Sequence, residues 1–367
     1  MPRDILSLRA LNRATLARQH LLDRNDSFLE VTARLVGVQA QMPRPPLIGL
    51  WARVHGLTRE AVVAALLDKR LVRGTAMRGT LHLMTDADFR ELRGPLQAGL
   101  DRGLAAILRD RALGIEMAPL VADATEFFCQ PQTFDAFRDH LAASAPAADI
   151  RAMAYAVRMQ LPLLQVPTES AWGFPAQADF ISADTWLGKP KRRTPARTTE
   201  DLVLRYLAAC GPATAADAQA WLGLPSLKPV FEALRPRLVT FRGERGGELF
   251  DLPDAPRPDP DVPAPVRFLP DWDNAIVGRA DARLLAGEHR SKVYQPGLRI
   301  LATVLLDGQV AGTWKIERRK KAATLFISTF ARLTSVARRA IEPEAAALLE
   351  FAEPDAAVKE LNVEAHT

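Results

Sequence analysis

The 367-residue chain holds only two cysteines, Cys129 and Cys210, and its six histidines are scattered at positions 20, 55, 82, 140, 289 and 366. Two distant cysteines exclude a zinc cluster and a disulfide framework. No His-x-x-x-His or His-Glu-x-x-His spacing occurs, so metal catalysis is not expected. Phosphate-cradling loops are missing too. There is no Gly-x-Gly-x-x-Gly, and Gly243-Glu244-Arg245-Gly246-Gly247 lacks the Lys-Ser/Thr such a loop requires. The expected cofactor set is therefore empty. No apolar run approaches the ~20 residues of a membrane span; the stretches 61–67 and 300–306 are only core-sized. At the start, Met1-Pro2-Arg3-Asp4 brings an acid at once and no apolar h-region, which predicts no secretory leader. A soluble, cytoplasmic protein is expected.

Lysine is scarce as well: 39 of the 48 basic residues are arginine and 9 are lysine. Arginine's planar fork suits phosphates, so the bias is compatible with nucleic acid, although a GC-rich genome produces the same bias. The net charge is only +5 but it is uneven. Residues 1–120 hold 18 basic and 12 acidic side chains, whereas 342–367 hold 1 basic and 7 acidic. A basic body thus carries an acidic tail. With 48% hydrophobic and 25% charged residues, the composition is that of a folded chain, and its length predicts two or three domains.

Apolar spacing predicts an α+β, mainly α, protein built from tandem winged-helix domains followed by a β-rich, barrel-like module. In the first unit (1–115), Leu8, Leu11, Leu16, Leu21 and Leu22 have helical spacing, and Phe28, Val31, Leu35 and Val38 continue it. Thr58 is placed to cap a helix carrying Val62, Val63, Leu66 and Leu67. Met77-Arg78-Gly79-Thr80-Leu81-His82-Leu83 then alternates like a half-buried strand, with Arg78, Thr80 and His82 on one face. The outline recurs in 116–190 and again in 191–252. The last copy is the clearest: Thr214 caps a short helix, 223–226 turns into a second, and a glycine-tipped hairpin follows. Six prolines between 253 and 265 predict an extended linker. The final module (266–367) reads as strands, with Asp307-Gly308 as a tight-hairpin signal, then an acidic helix.

The most unusual local stretch runs from Val36 through Gln39-Ala40-Gln41 to Met42-Pro43-Arg44-Pro45-Pro46. Proline pushes the residue before it towards extended backbone, and in extended backbone residues two apart point the same way. Gln39 and Gln41 would then present two amides side by side, able to hold a water molecule in a fixed orientation. The bland alternative is that both merely satisfy backbone groups at a frayed helix end. Arg78, Thr80 and His82 have a solvated face as their bland reading. Asp271-Trp272-Asp273-Asn274 resembles an acid/base pair, but its position between strand and turn favours capping. The five basic residues between Lys315 and Lys321 suit a solvated hairpin tip. Composition and spacing alone support a winged-helix nucleic-acid binder, enzyme or not.

Several stretches together resemble one family. They are Leu11-Asn12-Arg13-Ala14 with Arg18-Gln19, Gly37-Val38-Gln39-Ala40-Gln41, and Met77-Arg78-Gly79-Thr80-Leu81-His82-Leu83. Phe268-Leu269-Pro270, Gly278-Arg279 with Asp281, Glu288-His289-Arg290, and Asp307-Gly308 with Gly312-Thr313-Trp314 complete the set. In content and order they are similar to the AlkZ/YcaQ-like winged-helix DNA glycosylases. The resemblance implies a DNA channel and hydrolysis of the N-glycosidic bond of alkylated purines in double-stranded DNA, with interstrand crosslinks as further candidate substrates. It implies that Gln39 and Gln41 are catalytic, Gln41 placing the chain in the branch without an acid at that position. Arg78, His82, Arg279 and Arg299 are the expected DNA-binding residues. In parts of the family a hairpin carrying a His-containing motif touches DNA; the matching loop, 294–298, lacks that histidine. The alternative is a non-catalytic winged-helix protein, a transcription regulator or damage binder.

Overall fold

The computed structural model describes residues 5–188, 197–278 and 281–365, and it is a mixed α/β fold. Helices begin where short hydroxyl side chains stand ready to cap them. Ser7, Ser27 and Thr58 each accept a backbone N–H of the first turn of Leu8–Arg18, Phe28–Arg34 and Arg59–Leu67. Thr214 forms a full capping box with Asp217 on Ala215–Leu222, and Gly223, left-handed at φ 74°, ends that helix.

Five strands between residues 38 and 182 share one antiparallel sheet. Its order is Val38–Gln39, Leu81–Thr85, Leu71–Thr75, Leu163–Gln165, Phe180–Ser182. Helices Thr199–Cys210, Ala215–Leu222 and Lys228–Leu234 precede the hairpin Val239–Gly243/Glu248–Asp251, and Ile5–Leu6 adds to that hairpin in parallel. The C-terminal sheet corrects the barrel-like expectation. Its order is Val358–Ala365, Ala322–Thr329, Gln309–Arg319, Thr303–Leu306, Arg267–Leu269, and its first and last strands are open edges. Helix Ser335–Ala352 connects Ala322–Thr329 to the parallel strand Val358–Ala365. That crossover extends the sheet beside its own neighbour instead of returning to Arg267–Leu269, so no barrel closes. Asp307 (φ 43°) and Gly308 (φ 78°) make the tight turn expected of them.

The proline-rich stretch 253–265 contains no helix or strand and lies along the first helix. Arg13 Nε donates to Val262 O (2.6 Å) and Arg18 Nε to Pro256 O (3.1 Å), so two buried arginines strap it down. Three apolar cores result. One joins Leu16, Val31 and Leu50 to Phe268, Leu325 and Leu348, and so bonds the N-terminal helices to the C-terminal sheet. A second packs Met77, Met84 and Phe89 against Tyr206, Trp221 and Phe231. The third is aromatic, around Phe128, Phe134, Phe137 and Phe180. Among the described residues no helix is long and apolar enough to cross a membrane.

Candidate active site

Helix Phe28–Arg34 runs out into a strained corner, Val36 at φ 58° and Gly37 at φ 97°. Only glycine suits the second position: a Cβ there would stand 2.7 Å from Met84 Cγ. The corner delivers Val38–Gln39 onto Leu81–Thr85, with Gln39 opposite His82, and Ala40 N–H continues the ladder to Leu81 O at 2.7 Å. Helix Arg44–Trp51 follows at once, with prolines in its first turn. Asn274 latches the strand from the other side. Its Nδ2 donates to Gly37 O (2.7 Å) and its Oδ1 accepts from Gln39 N–H (3.3 Å).

Both glutamine side chains are tethered to the 78–82 segment by their carbonyls. Gln39 Oε1 accepts from Arg78 Nη2 (2.8 Å), and Gln41 Oε1 accepts from Leu81 N–H (2.8 Å). Guanidinium and backbone N–H are donors only, so each amide is oriented with its oxygen inward. Neither Nε2 donates to a protein acceptor among the described residues, and neither is a sealed atom. The two differ in exposure: Gln39 is 6% exposed, whereas Gln41 lies open to solvent.

Arg78 reaches Gln39 by a route different from the expected strand alternation. Residues Met77–Gly79 form a tight turn with Arg78 at φ 57° and Gly79 at φ 69°, and the strand starts only at Leu81. The shared strand face of Arg78, Thr80 and His82 is therefore replaced by a left-handed corner that turns Arg78 inward. Its Nη1 donates to Trp221 O, and its guanidinium stacks 5.6 Å from the Trp221 ring. His82 is fully buried. Its Nδ1 lies 3.0 Å from Thr80 O, which can only accept, so Nδ1 carries the proton and Nε2 turns a lone pair to Arg78 Nη2 at 3.5 Å.

Burial, reinforced by Arg78's charge, pushes the His82 pKa down to about 3. An unfolded histidine titrates near ~6.5, so this group's contribution to stability is complete above that pH. It is lost as pH falls towards 3, because the unfolded chain takes up a proton that the native state cannot. Urea midpoints measured at pH 7.5 and pH 5 are expected to decline on acidification, and less steeply in His82→Gln.

A second guanidinium stands behind the same strand. Arg73, 3% exposed, donates from Nε to Ala40 O (2.8 Å) and from Nη2 to Gln41 O (3.2 Å), and sits over the Phe174 ring. Burial draws both Arg73 and Arg78 down to about 10, which leaves them charged at neutral pH. Among the described residues neither forms an ion pair. The Gln-Ala-Gln strand is thus clamped by a buried Arg73 and a half-buried Arg78, and among the described residues no carboxylate contacts either.

Arg299 lies apart from this pair. Arg299 is exposed and lines a cavity of about 270 Å³ with Arg44, Asp271, Lys315 and Phe326; neither glutamine lines it. Arg279 falls outside the described residues. Asp273 does cap Ala275 N–H as the turn reading expects, yet its carboxylate also forms a buried bidentate pair with Arg53. Arg73 and Asn274 join the site without being expected there. The usable signal for Arg73 is a lone arginine inside Leu71-Val72-Arg73-Gly74-Thr75, a run too apolar to face water. Among the described residues no cluster of three metal-ligating side chains occurs.

Gln39 and Gln41 thus present two neutral amides on a short strand held by Arg73, Arg78 and Asn274. Residues 32–351 match the family described as "DNA glycosylase AlkZ-like", and the chain belongs to it; it is a DNA glycosylase. A curated relative, the interstrand DNA cross-link repair glycosylase of Streptomyces sahachiroi, is 28% identical over 363 residues, covering 90% of this chain and 92% of its own. The solved structure of Streptomyces sahachiroi DNA glycosylase AlkZ has the same fold, with a TM-score of 0.79 at 23% identity, over 99% of this chain and 100% of that one.

Proposed function

We propose that this glycosylase hydrolyses the N-glycosidic bond of cationic N7-alkylpurines in double-stranded DNA, interstrand crosslinks included, with Gln39 and Gln41 as its catalytic residues. The observation that carries this reading is the pair of amides whose carbonyls are tethered while their nitrogens stay free, with no carboxylate bonded to either. Two amides orient water but are neither general acids nor strong bases, so the leaving group must need no proton. An N7-alkylpurine meets that condition. Water oxygen bonds to C1′, the C1′–N9 bond breaks, and its electron pair neutralises the positive base; the water's proton goes to solvent. The transition state resembles an oxocarbenium ion, and rate comes from positioning and oriented dipoles. The similarity to a cross-link repair glycosylase supports the crosslink substrates.

In this reading Arg299 and Arg279 meet DNA phosphates, while Arg78 and His82, both turned inward, act on the site from behind. Each of the stretches 1–115, 116–190 and 191–252 is proposed to be a winged-helix unit, the grouping of helices before paired strands being the support, with 253–265 and 266–367 as strap and C-terminal module. The non-catalytic alternative draws on the burial of Gln39, but a merely structural amide would have its nitrogen bonded.

The test is incubation with duplex DNA carrying one N7-methylguanine, followed by alkaline cleavage at abasic sites. Strand breaks at the lesion are expected, with none at uracil. Because amides do not titrate, the single-turnover rate is expected to be flat from about pH 6 to pH 9. Absence of cleavage at N7-methylguanine, or a rate rising tenfold per pH unit, refutes the assignment.

A further inference from the structure

We propose that Arg78 is a positioning residue that locks the Gln39 amide with its carbonyl inward, so that Gln39 meets the reacting groups only as a hydrogen-bond donor through Nε2. This rests on Gln39 being catalytic, and it specifies which atom works. An unconstrained glutamine can offer either end of its amide, because the two ends differ little in shape. Here Arg78 Nη2, at 2.8 Å, takes the oxygen, and a guanidinium has no acceptor atom with which to tolerate the flipped amide. Flipping would face N–H against N–H beside a half-buried charge.

Arg78 is itself held on every side. Trp221 O accepts from Nη1, the Trp221 ring lies beneath the guanidinium, and neutral His82 turns its lone pair to Nη2. The corner is also packed against backbone: a Cβ on Gly223 would approach the Arg78 N and Cα atoms to 3.0 Å. The groups facing this cluster that can ionise are His82, Cys210 and Tyr294, and among the described residues no carboxylate contacts the guanidinium. The charge of Arg78 therefore acts on the Gln39 carbonyl unopposed by a bonded anion. It draws density from the oxygen and makes the Nε2 hydrogens stronger donors. Gln41 is different. Its tether is a neutral backbone N–H and its side chain is exposed, so no fixed charge polarises its amide and solvent reaches it.

Two measurements test this, one of them independent of activity. In Gln39→Glu the new carboxylate should be held opposite Arg78, and its pKa, followed by NMR in protein with 13C-labelled glutamate, is expected below the usual ~4.3. Adding Arg78→Met should raise it above that value, since burial then acts without a counter-charge. A Gln39→Glu carboxyl that titrates normally, or ignores Arg78→Met, refutes the contact whatever the substrate is. On N7-methylguanine duplex at saturating enzyme, Gln39→Glu is expected to lose about 100-fold in single-turnover rate, because its carboxylate offers only acceptors where Nε2 offered donors and the water is misplaced. Arg78→Met should lose about as much while Tm stays within a few degrees and DNA binding within about threefold; Arg78→Lys, which keeps charge and one donor, should recover part of it. A Gln39→Glu enzyme within threefold of wild type, or one that gains rate as the carboxylate ionises, would show that position 39 works as an acceptor. Failure of the wild type to excise N7-methylguanine would instead remove the substrate reading and leave the NMR result to judge Arg78.

Discussion

The Gln39→Ala/Gln41→Ala double variant is expected to bind N7-methylguanine duplex like wild type and to excise the base at least about 1,000-fold more slowly. The magnitude follows from what the two side chains do. Each single preorganised hydrogen-bonding group at a reacting centre is worth about 10²–10³ in rate. Groups that act as a unit do not add, so the double variant should fall only modestly below the worse single one. Gln39→Ala is expected to be that worse single variant. Gln39 is buried and held by Arg78 and Asn274, whereas Gln41 is solvent-exposed and water can stand in for part of its amide. Binding should survive because the affinity of glycosylase for duplex comes mainly from phosphate contacts, which neither amide makes alone. Single-turnover excision with electrophoretic affinity measured in parallel checks both halves. A double variant that excises within tenfold of wild type would remove the glutamines from the mechanism.

Much of this arrangement is legible in the amino-acid sequence, and the parts that are not share a cause. Thr58 and Thr214 announce their helices because a cap is a local event, decided within four residues. Gln39 and Gln41 stand out through the prolines around them, again locally. Arg78 does reach the site, but not by the geometry its spacing suggests. Strand alternation would put it on the face of His82, whereas the actual link is a left-handed turn whose cost is met by Trp221, about 140 residues onward. Asn274 cannot be found from its own neighbourhood, since its partners, Gly37 O and Gln39 N–H, lie 237 and 235 residues earlier in the chain. The C-terminal sheet departs from expectation for the same reason. Its alternating strands are legible, but whether their edges meet depends on where helix Ser335–Ala352 sends the chain. The prolines of 253–265 predict an extended linker; the stretch forms no helix or strand but turns at 253–255 and 260–262. Its being strapped by Arg13 and Arg18 depends on arginines some 240 residues away.

Asp273→Ala is expected to destabilise the protein by about 3–5 kcal/mol, the usual result of leaving one member of a buried ion pair alone. Arg53 and Asp273 are 0% and 1% exposed at the side chain, and two hydrogen bonds of 2.7 and 2.8 Å join them. Removing the carboxylate strands a guanidinium that Gly49 O and Gln19 Oε1 satisfy only in part, and it also uncaps Ala275 N–H. The pair's net worth is much smaller than that loss, because both charges were desolvated on folding. Arg53→Met/Asp273→Leu should accordingly recover most of the deficit, and urea unfolding of the two variants beside wild type measures the difference. The pair also adjoins the Gln39 strand, since Asp273 precedes Asn274, which holds the Gly37 corner and the Gln39 backbone N–H. A double variant that regains stability but not excision rate would mean that the ion pair sets the register of the Gln39 strand through Asn274. One that regains both would confine Arg53 and Asp273 to stability. If Asp273→Ala alone costs less than about 1 kcal/mol, the pair behaves as an exposed one and water reaches Arg53 in solution.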